Sequence, residues 1–286
     1  MSRLMRLGIV ALALVLASAF TLAPVAAQPA TPELILATTT STQDSGLLDV
    51  LVPAFERQSG YIVKTISVGT GQAMALGERG EADVLLVHAP DSEKKWMAAG
   101  HGVDRKLVMY NDFIIVGPPS DPISLAGAKT AVEAMQKIAA NGAIFVSRGD
   151  NSGTHQLELK LWKDAGFDPK GQPWYQETGQ GMGAVLTVAN EKEAYTITDR
   201  ATYLARKATV DLTILAEGYQ TFLNVYHVMV VNPEKGTHIN AEGARAFSDF
   251  VVAPSTQEMI GTFGVDKFGQ PLFFPAATMT DEQLGV

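Results

Sequence analysis

Cysteine is absent from all 286 residues of the sequence. Disulfide bridges, thiolate metal sites and a cysteine-linked lipid anchor are therefore excluded. Histidine is also scarce, with five residues. His88, His101, His227 and His238 are scattered along the chain without the spacing of metal ligands. We therefore expect no metal-cation site and no bound cofactor.

Positive charge is in short supply as well. The chain has 22 Lys and Arg residues against 30 Asp and Glu residues, which gives a formal net charge of −8. Nucleic acids and anionic membrane surfaces attract basic proteins, so the composition argues against both as partners. An anion could bind this chain only through local N–H, hydroxyl and guanidinium donors that converge on one point.

Long apolar runs are missing after the first 27 residues. Arg3 and Arg6 precede the apolar run 8–17, which is shorter than the roughly 20 residues that span a bilayer, and small residues before Gln28 suit a cleavage site. We interpret residues 1–27 as a cleaved signal peptide, with an uncleaved anchor as the alternative. Cleavage would remove two arginines and no acid, lowering the net charge from −8 to −10, and would leave a soluble secreted protein.

The most informative stretch is 147–155, Ser-Arg-Gly-Asp-Asn-Ser-Gly-Thr-His. A short apolar run at 143–146 predicts a strand before it. Leu157 and Leu161, four residues apart, predict a helix after it that ends at Gly166. The first N–H groups of such a helix lack intrahelical acceptors and carry partial positive charge, so this turn is suited to bind an anion.

The side chains of this turn add further donors. Arg148 offers a guanidinium fork, Ser152 and Thr154 offer hydroxyl hydrogens, and Gly153 lets the backbone approach an oxyanion closely. The alternative is an ordinary N-cap at Asn151 or Ser152 beside a surface arginine.

A second turn of the same kind follows the first predicted strand, 33–37. Residues 38–42 are five consecutive hydroxyl side chains, more than one N-cap requires, although a plain polar loop is the alternative. A helix over 47–60 follows, which we expect Pro53 to break or kink. Thr70 opens another helix after a strand over 61–68.

Strands alternate with helices through a further strand at 81–87, which predicts parallel pairing with right-handed crossovers. Ligand sites then lie beyond the carboxyl ends of the strands, where the polar turns are. A phosphate-binding G-x-x-x-x-G-K-[ST] motif is absent. The glycine-rich segments 69–74 and 178–183 are alike, which favours two lobes of similar construction. Thr198 and Asp199, at the end of a later strand, are further candidates for contact with the ligand. The alternative role of Asp199 is that of a helix cap.

Two long extended runs, 106–119 and 222–233, predict a pair of connections between lobes. Helices led by Asn240 and Ser255 would complete the first lobe. The predicted division is residues 33–117 with 222–286 in lobe 1, and residues 118–221 in lobe 2. We therefore predict an α/β protein of two lobes, each a mixed, mostly parallel sheet flanked by helices, with a two-strand hinge and a ligand cleft.

The chain resembles the tungstate-binding periplasmic proteins of ABC importers, relatives of the molybdate- and phosphate-binding proteins. The resemblance covers about 33–274 and is most specific where the hydroxyl run 38–42 is combined with the motif 147–155. It implies a type II periplasmic-binding-protein fold and a tetrahedral oxyanion clamped in the cleft, with tungsten or molybdenum present only as the oxyanion. It also implies delivery to an ABC permease, and we expect a monomer. The implied contacts are Thr39, Thr40, Ser41, Thr70, Arg148, Ser152, Gly153 and Thr154.

Several alternatives stay open at this point. Protonated phosphate needs a hydrogen-bond acceptor, whereas tungstate, molybdate and sulfate need donors only, and Asp44, Asp150 or Asp199 could be such an acceptor. A periplasmic hydrolase would need more than Ser152 and His155, since G-x-S-x-G and an orienting acid are absent. An anion sensor or adhesion module is a third class, and the Arg-Gly-Asp tripeptide at 148–150 is attributed to chance. We expect no catalysis.

Overall fold

The computed structural model describes residues 29–236 and 238–286. The predicted signal peptide, residues 1–27, lies outside the described residues. Within the described ranges, no helix combines the length and apolar character needed to cross a membrane.

The described chain alternates strands and helices from β1 onward. The strands are β1 (Glu33–Thr39), β2 (Ile62–Val68), β3 (Val84–Val87), β4 (Gly102–Gly117), β5 (Phe145–Ser147), β6 (Tyr175–Glu177), β7 (Thr196–Asp199), β8 (Thr213–Ala216), β9 (Leu223–Val231) and β10 (Phe274–Pro275). The helices are α1 (Thr40–Asp44), α2 (Leu48–Ser59), α3 (Thr70–Glu78), α4 (Pro90–Ala98), α5 (Ala131–Asn141), α6 (Gly153–Asp164), α7 (Met182–Glu191), α8 (Arg200–Arg206), α9 (Ala241–Val252), α10 (Pro254–Thr262), α11 (Val265–Phe268) and α12 (Asp281–Leu284).

The main sheet has the strand order β10-β4-β9-β3-β1-β2, and β7 and β8 also pair with β4. Strand β1 is parallel to β2 and β3, while β9 is antiparallel to β3 and β4. A small parallel sheet joins β5 and β6. The α/β class with a mixed sheet is confirmed. Antiparallel pairings are more numerous than the sequence indicated, because β4 and β9 run against their neighbours.

Strand β4 serves both parts of the sheet. Its pairing with β9 ends at Asp112 opposite Leu223, and from Phe113 onward it pairs with β7 and β8 instead. The predicted extended runs are therefore confirmed as long strands that meet side by side. The assignment of residues to two lobes stays a prediction.

Apolar side chains form separate clusters on either side of the point where β4 changes from pairing with β9 to pairing with β7 and β8. One cluster packs α2 and α9 against the sheet around Phe55, Tyr226 and Phe247. Another, among α5, α6 and β5, is centred on Phe145 and Trp162. Full burial of such side chains contributes roughly 1.5–3 kcal/mol each, so each cluster can fix the turns that its own strands carry.

Two local expectations, a break at Pro53 and a helix led by Ser255, were wrong. Helix α2 continues through Pro53 without a break, because Leu51 and Phe55 on either side of the proline are both buried and hold the helix on the sheet. Helix α10 begins at Pro254 rather than after Ser255, since the fixed φ of proline suits the first helical turn.

Candidate functional site

Four helices begin at one place in the structure. Their N-cap residues are Thr39 for α1, Gly69 for α3, Ser152 for α6 and Gly181 for α7. The N–H of Gly153 donates to Thr70 Oγ1 at 3.1 Å, and the N–H of Met182 points to Thr40 Oγ1 at 3.5 Å. Since helix N-termini carry unpaired N–H groups and partial positive charge, their convergence creates a region suited to an anion.

Arg148 lies at the centre of this region with 1% of its surface exposed. Its Nη2 donates to Thr40 Oγ1 at 3.1 Å and to Asp150 Oδ2 at 2.5 Å. Its Nε and Nη1 are buried and have no hydrogen-bond partner among the described residues. Buried charged donors are costly unless they are paired, so two unpaired guanidinium nitrogens mark a place for an acceptor.

Three hydroxyls of the first turn, those of Thr39, Ser41 and Thr42, form a connected cluster. Thr39 Oγ1 lies 3.1 Å from Ser41 Oγ and 2.8 Å from Thr42 Oγ1. Both Thr39 Oγ1 and Ser41 Oγ lie 3.2 Å from Nε2 of His88. The run is therefore a short helix and its cap, with the hydroxyls packed together, rather than an open polar loop.

The second turn contributes from the opposite side. Ser152 Oγ accepts the N–H of His155 at 3.2 Å, so Ser152 is the N-cap of α6, as the alternative for this stretch supposed. Thr154 Oγ1 is buried and has no partner within the described ranges. All eight predicted site residues therefore lie in this one region; their contact with a ligand stays a prediction.

Three aspartates were left open as acceptors for a protonated ligand, and each already accepts protein donors. Asp150 accepts from Arg148 and, at 3.1 Å, from the N–H of Ser152. Asp44 Oδ2 accepts the N–H of Gly183 at 3.0 Å. Asp199 caps α8 by accepting from Thr202 N at 2.8 Å and Thr202 Oγ1 at 2.7 Å. The cap role considered for Asp199 is therefore the one it has.

The hydroxyl of Thr198, the other strand-end candidate, does not bond to the two polar turns described above. Its Oγ1 donates to the carbonyl oxygen of Asp199 at 3.1 Å, and the side chain is fully buried. Burial also raises the pKa of Asp199 to about 6, against hydrogen bonds from Thr202 that lower it.

Sequence reasoning missed two parts of the region. His88 follows β3 directly, at a carboxyl end of a parallel strand, and this position was the only signal that could have found it. The N-terminus of α7 faces Thr40 and Asp44 through Met182 and Gly183. Its glycine-rich sequence had been compared with 69–74 only as a sign of similar lobes.

The side chains proposed for a hydrolase are not arranged for catalysis. The hydroxyl oxygen of Ser152 is bonded to the backbone of His155, not to its ring, and Nδ1 of that ring accepts the N–H of Asn151 at 3.0 Å. The Arg-Gly-Asp tripeptide is also unsuited to adhesion, since its arginine is 1% exposed.

Comparison with known proteins places the fold and region in context. A family model described as a PBP superfamily domain matches residues 25–255. The tungstate-binding protein TupA of Peptoclostridium acidaminophilum is 50% identical over 246 residues, which cover 85% of this chain and 86% of the relative.

Two solved structures agree with this match. The structure of the tungstate ABC transporter from Geobacter sulfurreducens is 54% identical with a TM-score of 0.74, covering 81% of this chain and 98% of that one. Tungstate-binding protein TupA from Desulfovibrio alaskensis G20 is 44% identical with a TM-score of 0.72, covering 86% of this chain and 100% of that one. The chain therefore belongs to the PBP superfamily and, within it, to the family of tungstate-binding proteins of ABC transporters.

Proposed function

We propose that this protein captures a tetrahedral oxyanion, tungstate, in the region around Arg148 and delivers it to an ABC permease. The observation that carries the proposal is the pair of buried guanidinium nitrogens, Nε and Nη1 of Arg148, that have no partner in the part of the chain that the structure describes. They lie where four helix N-termini converge, and the family consists of binding proteins rather than enzymes.

The donors can be counted from the hydrogen bonds already made. A hydroxyl that accepts a protein N–H keeps its own hydrogen for another partner. Thr40, Thr70 and Ser152 each accept in this way. With Thr154 Oγ1 and the two nitrogens of Arg148, six donor atoms are available to one anion.

The strength of these bonds is sufficient for tight capture. Hydrogen bonds to a charged partner contribute about 1.5–3 kcal/mol each. A nanomolar complex requires about −12 kcal/mol. Six such bonds can therefore offset the desolvation of a dianion and still give high affinity.

Ligand choice follows from the hydrogen bonds that already engage the aspartates considered as acceptors. A protonated phosphate needs an acceptor for its hydrogen, but both carboxylate oxygens of Asp150 already accept from protein donors, and Asp44 caps α7. This arrangement supports a fully deprotonated dianion. Tungstate is preferred over molybdate and sulfate on the basis of the relatives, and molybdate differs from it only slightly in size.

Capture is proposed to involve closure of two lobes, residues 33–117 with 222–286 and residues 118–221, about a hinge in β4 and β9. The support is that hydrogen bonds link the predicted lobes directly, at Thr40 with Arg148 and at Thr70 with Gly153. Because each lobe donates to the same anion, the closed form gains contacts that an open form lacks. We further propose cleavage of residues 1–27, a periplasmic location and a monomeric state.

The test is competition calorimetry on dialysed protein with sodium tungstate, molybdate, sulfate and phosphate. We expect tungstate to bind most tightly and phosphate at least a hundredfold more weakly. A buried phosphate hydrogen without an acceptor in the protein costs several kcal/mol. Phosphate binding as tight as tungstate binding would contradict the proposed ligand class, and no binding of any oxyanion would reject the function.

A further inference from the structure

Helix α7 begins without a capping side chain of its own. Its N-cap residue is Gly181, which has no side-chain oxygen to accept the first N–H groups of the helix. The acceptors come from a distant part of the chain, since the N–H of Gly183 donates to Asp44 Oδ2 at 3.0 Å and the N–H of Met182 points to Thr40 Oγ1 at 3.5 Å. Asp44 and Gly183 are 139 positions apart and belong to different predicted lobes. The cap of α7 therefore forms only when these two parts of the chain meet.

The glycines at this helix start make room for the contact. A Cβ added to Gly183 would lie 3.0 Å from Asp44 Oδ2 and 2.7 Å from Arg206 Nη2. One added to Gly181 would lie 3.3 Å from Cβ of Thr40. Side chains at these two positions would crowd α1 as it approaches α7. The glycine-rich segment 178–183 therefore has a local use, which is to let a carboxylate of α1 reach the first turn of α7.

Asp44 suits this place because of its charge. The N-terminus of a helix carries partial positive charge, so a carboxylate there gains both from the N–H bond and from the helix dipole. Arg206 is a second positive partner, with its Nη2 3.5 Å from Asp44 Oδ1. Since 42% of the Arg206 side chain is exposed, this ion pair contributes little. The contact with α7 is therefore the main one.

We propose that Asp44 is a positioning residue for oxyanion capture, which holds the two predicted lobes closed by capping α7 and does not contact the anion. This inference rests on the proposed function and on the closure described there. In an open form, water would replace Asp44 at the start of α7, so the free energy of the cap is gained only on closure. The start of α7 is thus occupied by the protein's own carboxylate, which leaves the ligand to Arg148 and the other turns.

The sign of the effect on affinity separates this role from simple electrostatics. A carboxylate near a bound dianion repels it, so removal of Asp44 would strengthen tungstate binding if charge alone mattered. If Asp44 holds the lobes together, its removal weakens binding, because the closed form that binds the ligand becomes less populated. The two roles therefore predict changes of affinity in opposite directions.

The test uses the full-length processed protein, with sodium tungstate as the probe and calorimetry as the readout. Asp44→Ala should weaken tungstate binding about fivefold to tenfold, the usual effect of losing a charged group at a helix N-terminus. Asp44→Asn, whose amide oxygen can still accept the N–H of Gly183, should weaken it only about threefold. Asp49→Ala is the matched control, because it removes an equal charge from an exposed position of α2, and it should bind tungstate as wild type does.

A second readout reports closure without any ligand. Ser92 Oγ in α4 donates to Gln156 Oε1 in α6 at 2.7 Å, across the predicted lobes. In Ser92→Cys/Gln156→Cys, a short bismaleimide should bridge the two thiols several-fold more slowly in tungstate-free buffer when Asp44→Ala is added, because closure becomes rarer. A purely local effect of Asp44 on stability would not change this rate. Melting temperatures of the ligand-free variants show which of them fold.

Tungstate affinity that is unchanged or increased in Asp44→Ala, or an unchanged bridging rate without ligand, would overturn the proposal. An equal loss of affinity in Asp49→Ala would also overturn it, because the effect would then be one of net charge. If Asp44→Ala does not fold, Asp44→Asn is judged by the same two measurements. If the wild-type protein binds no oxyanion, the proposed function fails, while the bridging rate still decides whether Asp44 holds the lobes together.

Discussion

Arg148 is the residue on which the proposed site depends most directly. Its guanidinium is 1% exposed, and of its nitrogens only Nη2 has partners among residues 29–236 and 238–286, namely Thr40 and Asp150. A buried cation with two unpaired nitrogens does little to stabilise the ligand-free fold, because the cost of removing it from water is only partly compensated. Its burial is better explained by a ligand that completes its hydrogen bonds.

Arg148→Ala should therefore weaken tungstate binding by about 2 kcal/mol or more, close to thirtyfold, while leaving the melting temperature of the ligand-free protein nearly unchanged. Arg148→Lys should be intermediate, since lysine keeps the charge but not the planar fork. Calorimetry and thermal melting measure both effects. The exposed Arg79→Ala is the matched control and should bind as wild type. Unchanged affinity in Arg148→Ala would remove this residue from the site.

Glu158 is a second buried charged residue, located behind the arginine turn. Its carboxylate accepts from Ser147 Oγ and Tyr175 Oη, each at 2.7 Å, and from Trp162 Nε1 at 3.2 Å. Ser147 Oγ in turn accepts the N–H of Gly149 at 3.2 Å. This chain of bonds connects the core of α6 to the turn that carries Arg148.

Burial raises the pKa of Glu158 from 4.5 to about 7, although its three hydrogen bonds act in the opposite direction. The folded protein therefore holds this proton more tightly than the unfolded chain does. The stabilisation from Glu158 is complete below pH 4.5 and is lost as the pH rises through 7, by up to about 3 kcal/mol at roughly 1.4 kcal/mol per pKa unit.

Glu158→Gln should remove this dependence of the folding stability on pH. The free energy of unfolding of wild type minus that of Glu158→Gln, measured by urea titration, should fall between pH 4.5 and 7.5. Because the contributions of Asp199, His88 and His155 are the same in both proteins, they cancel in the difference. The corresponding difference between wild type and Asp199→Asn should fall at lower pH, between pH 3.8 and 6. If the difference in free energy of unfolding between wild type and Glu158→Gln stays constant between pH 4.5 and 7.5, the raised pKa of Glu158 is contradicted.

Individual residues differ in how far the sequence reveals them. Arg148 and the hydroxyls of the first turn were predicted because several donors stand together where a strand meets a helix. His88 was not assigned a role and Asp44 was considered only as an acceptor for the ligand, because their partners, Ser41 at a separation of 47 positions and Gly183 at 139, come near only in the folded chain. A single sequence holds no local signal for such long-range hydrogen bonds.

At the scale of elements, helix α6 depends on the size of its first residue. An added Cβ at Gly153 would lie 2.9 Å from the carbonyl oxygen of His88, closer than real Cβ contacts allow. Because the clash is with backbone rather than a mobile side chain, α6 would have to withdraw from β3. The N–H of Gly153 would then lose its bond to Thr70.

Gly153→Ala should accordingly weaken tungstate binding at least tenfold and also destabilise the ligand-free protein by about 1–3 kcal/mol, the usual cost of overpacking a buried contact. Gly127→Ala is a suitable control, because its added Cβ would meet only Nζ of Lys137 at 3.7 Å. Calorimetry should show normal affinity in the control. Normal affinity in Gly153→Ala would indicate that close approach of α6 is not required for binding.

The elements themselves were largely predictable from hydrophobic pattern and turn residues. The strands before both polar turns and the helix capped by Asn240 were confirmed. Pro53 gave a wrong expectation because burial of Leu51 and Phe55 outweighs the missing N–H of one proline. The antiparallel direction of β4 and β9 was not predicted, since a strand's apolar pattern does not reveal which neighbour it pairs with.

The whole molecule is expected to change shape when it binds. Beside the proposed cleft, Ser92 Oγ in α4 donates to Gln156 Oε1 in α6 at 2.7 Å. These residues belong to different predicted lobes, so this bond can exist only when the lobes are close together. The ligand should therefore increase the fraction of time for which the two positions are adjacent.

The absence of cysteine makes this closure measurable with one engineered pair. In Ser92→Cys/Gln156→Cys, tungstate should accelerate bridging by a short bismaleimide several-fold, because closure raises the effective concentration of one thiol near the other. The control pair, Lys160→Cys/Asp164→Cys, lies within α6 at positions whose side chains already pair at 2.9 Å. Its bridging rate should not respond to tungstate. An equal response in both pairs would indicate an effect of tungstate on the reagent, and no response in either, with tungstate bound by calorimetry, would refute closure.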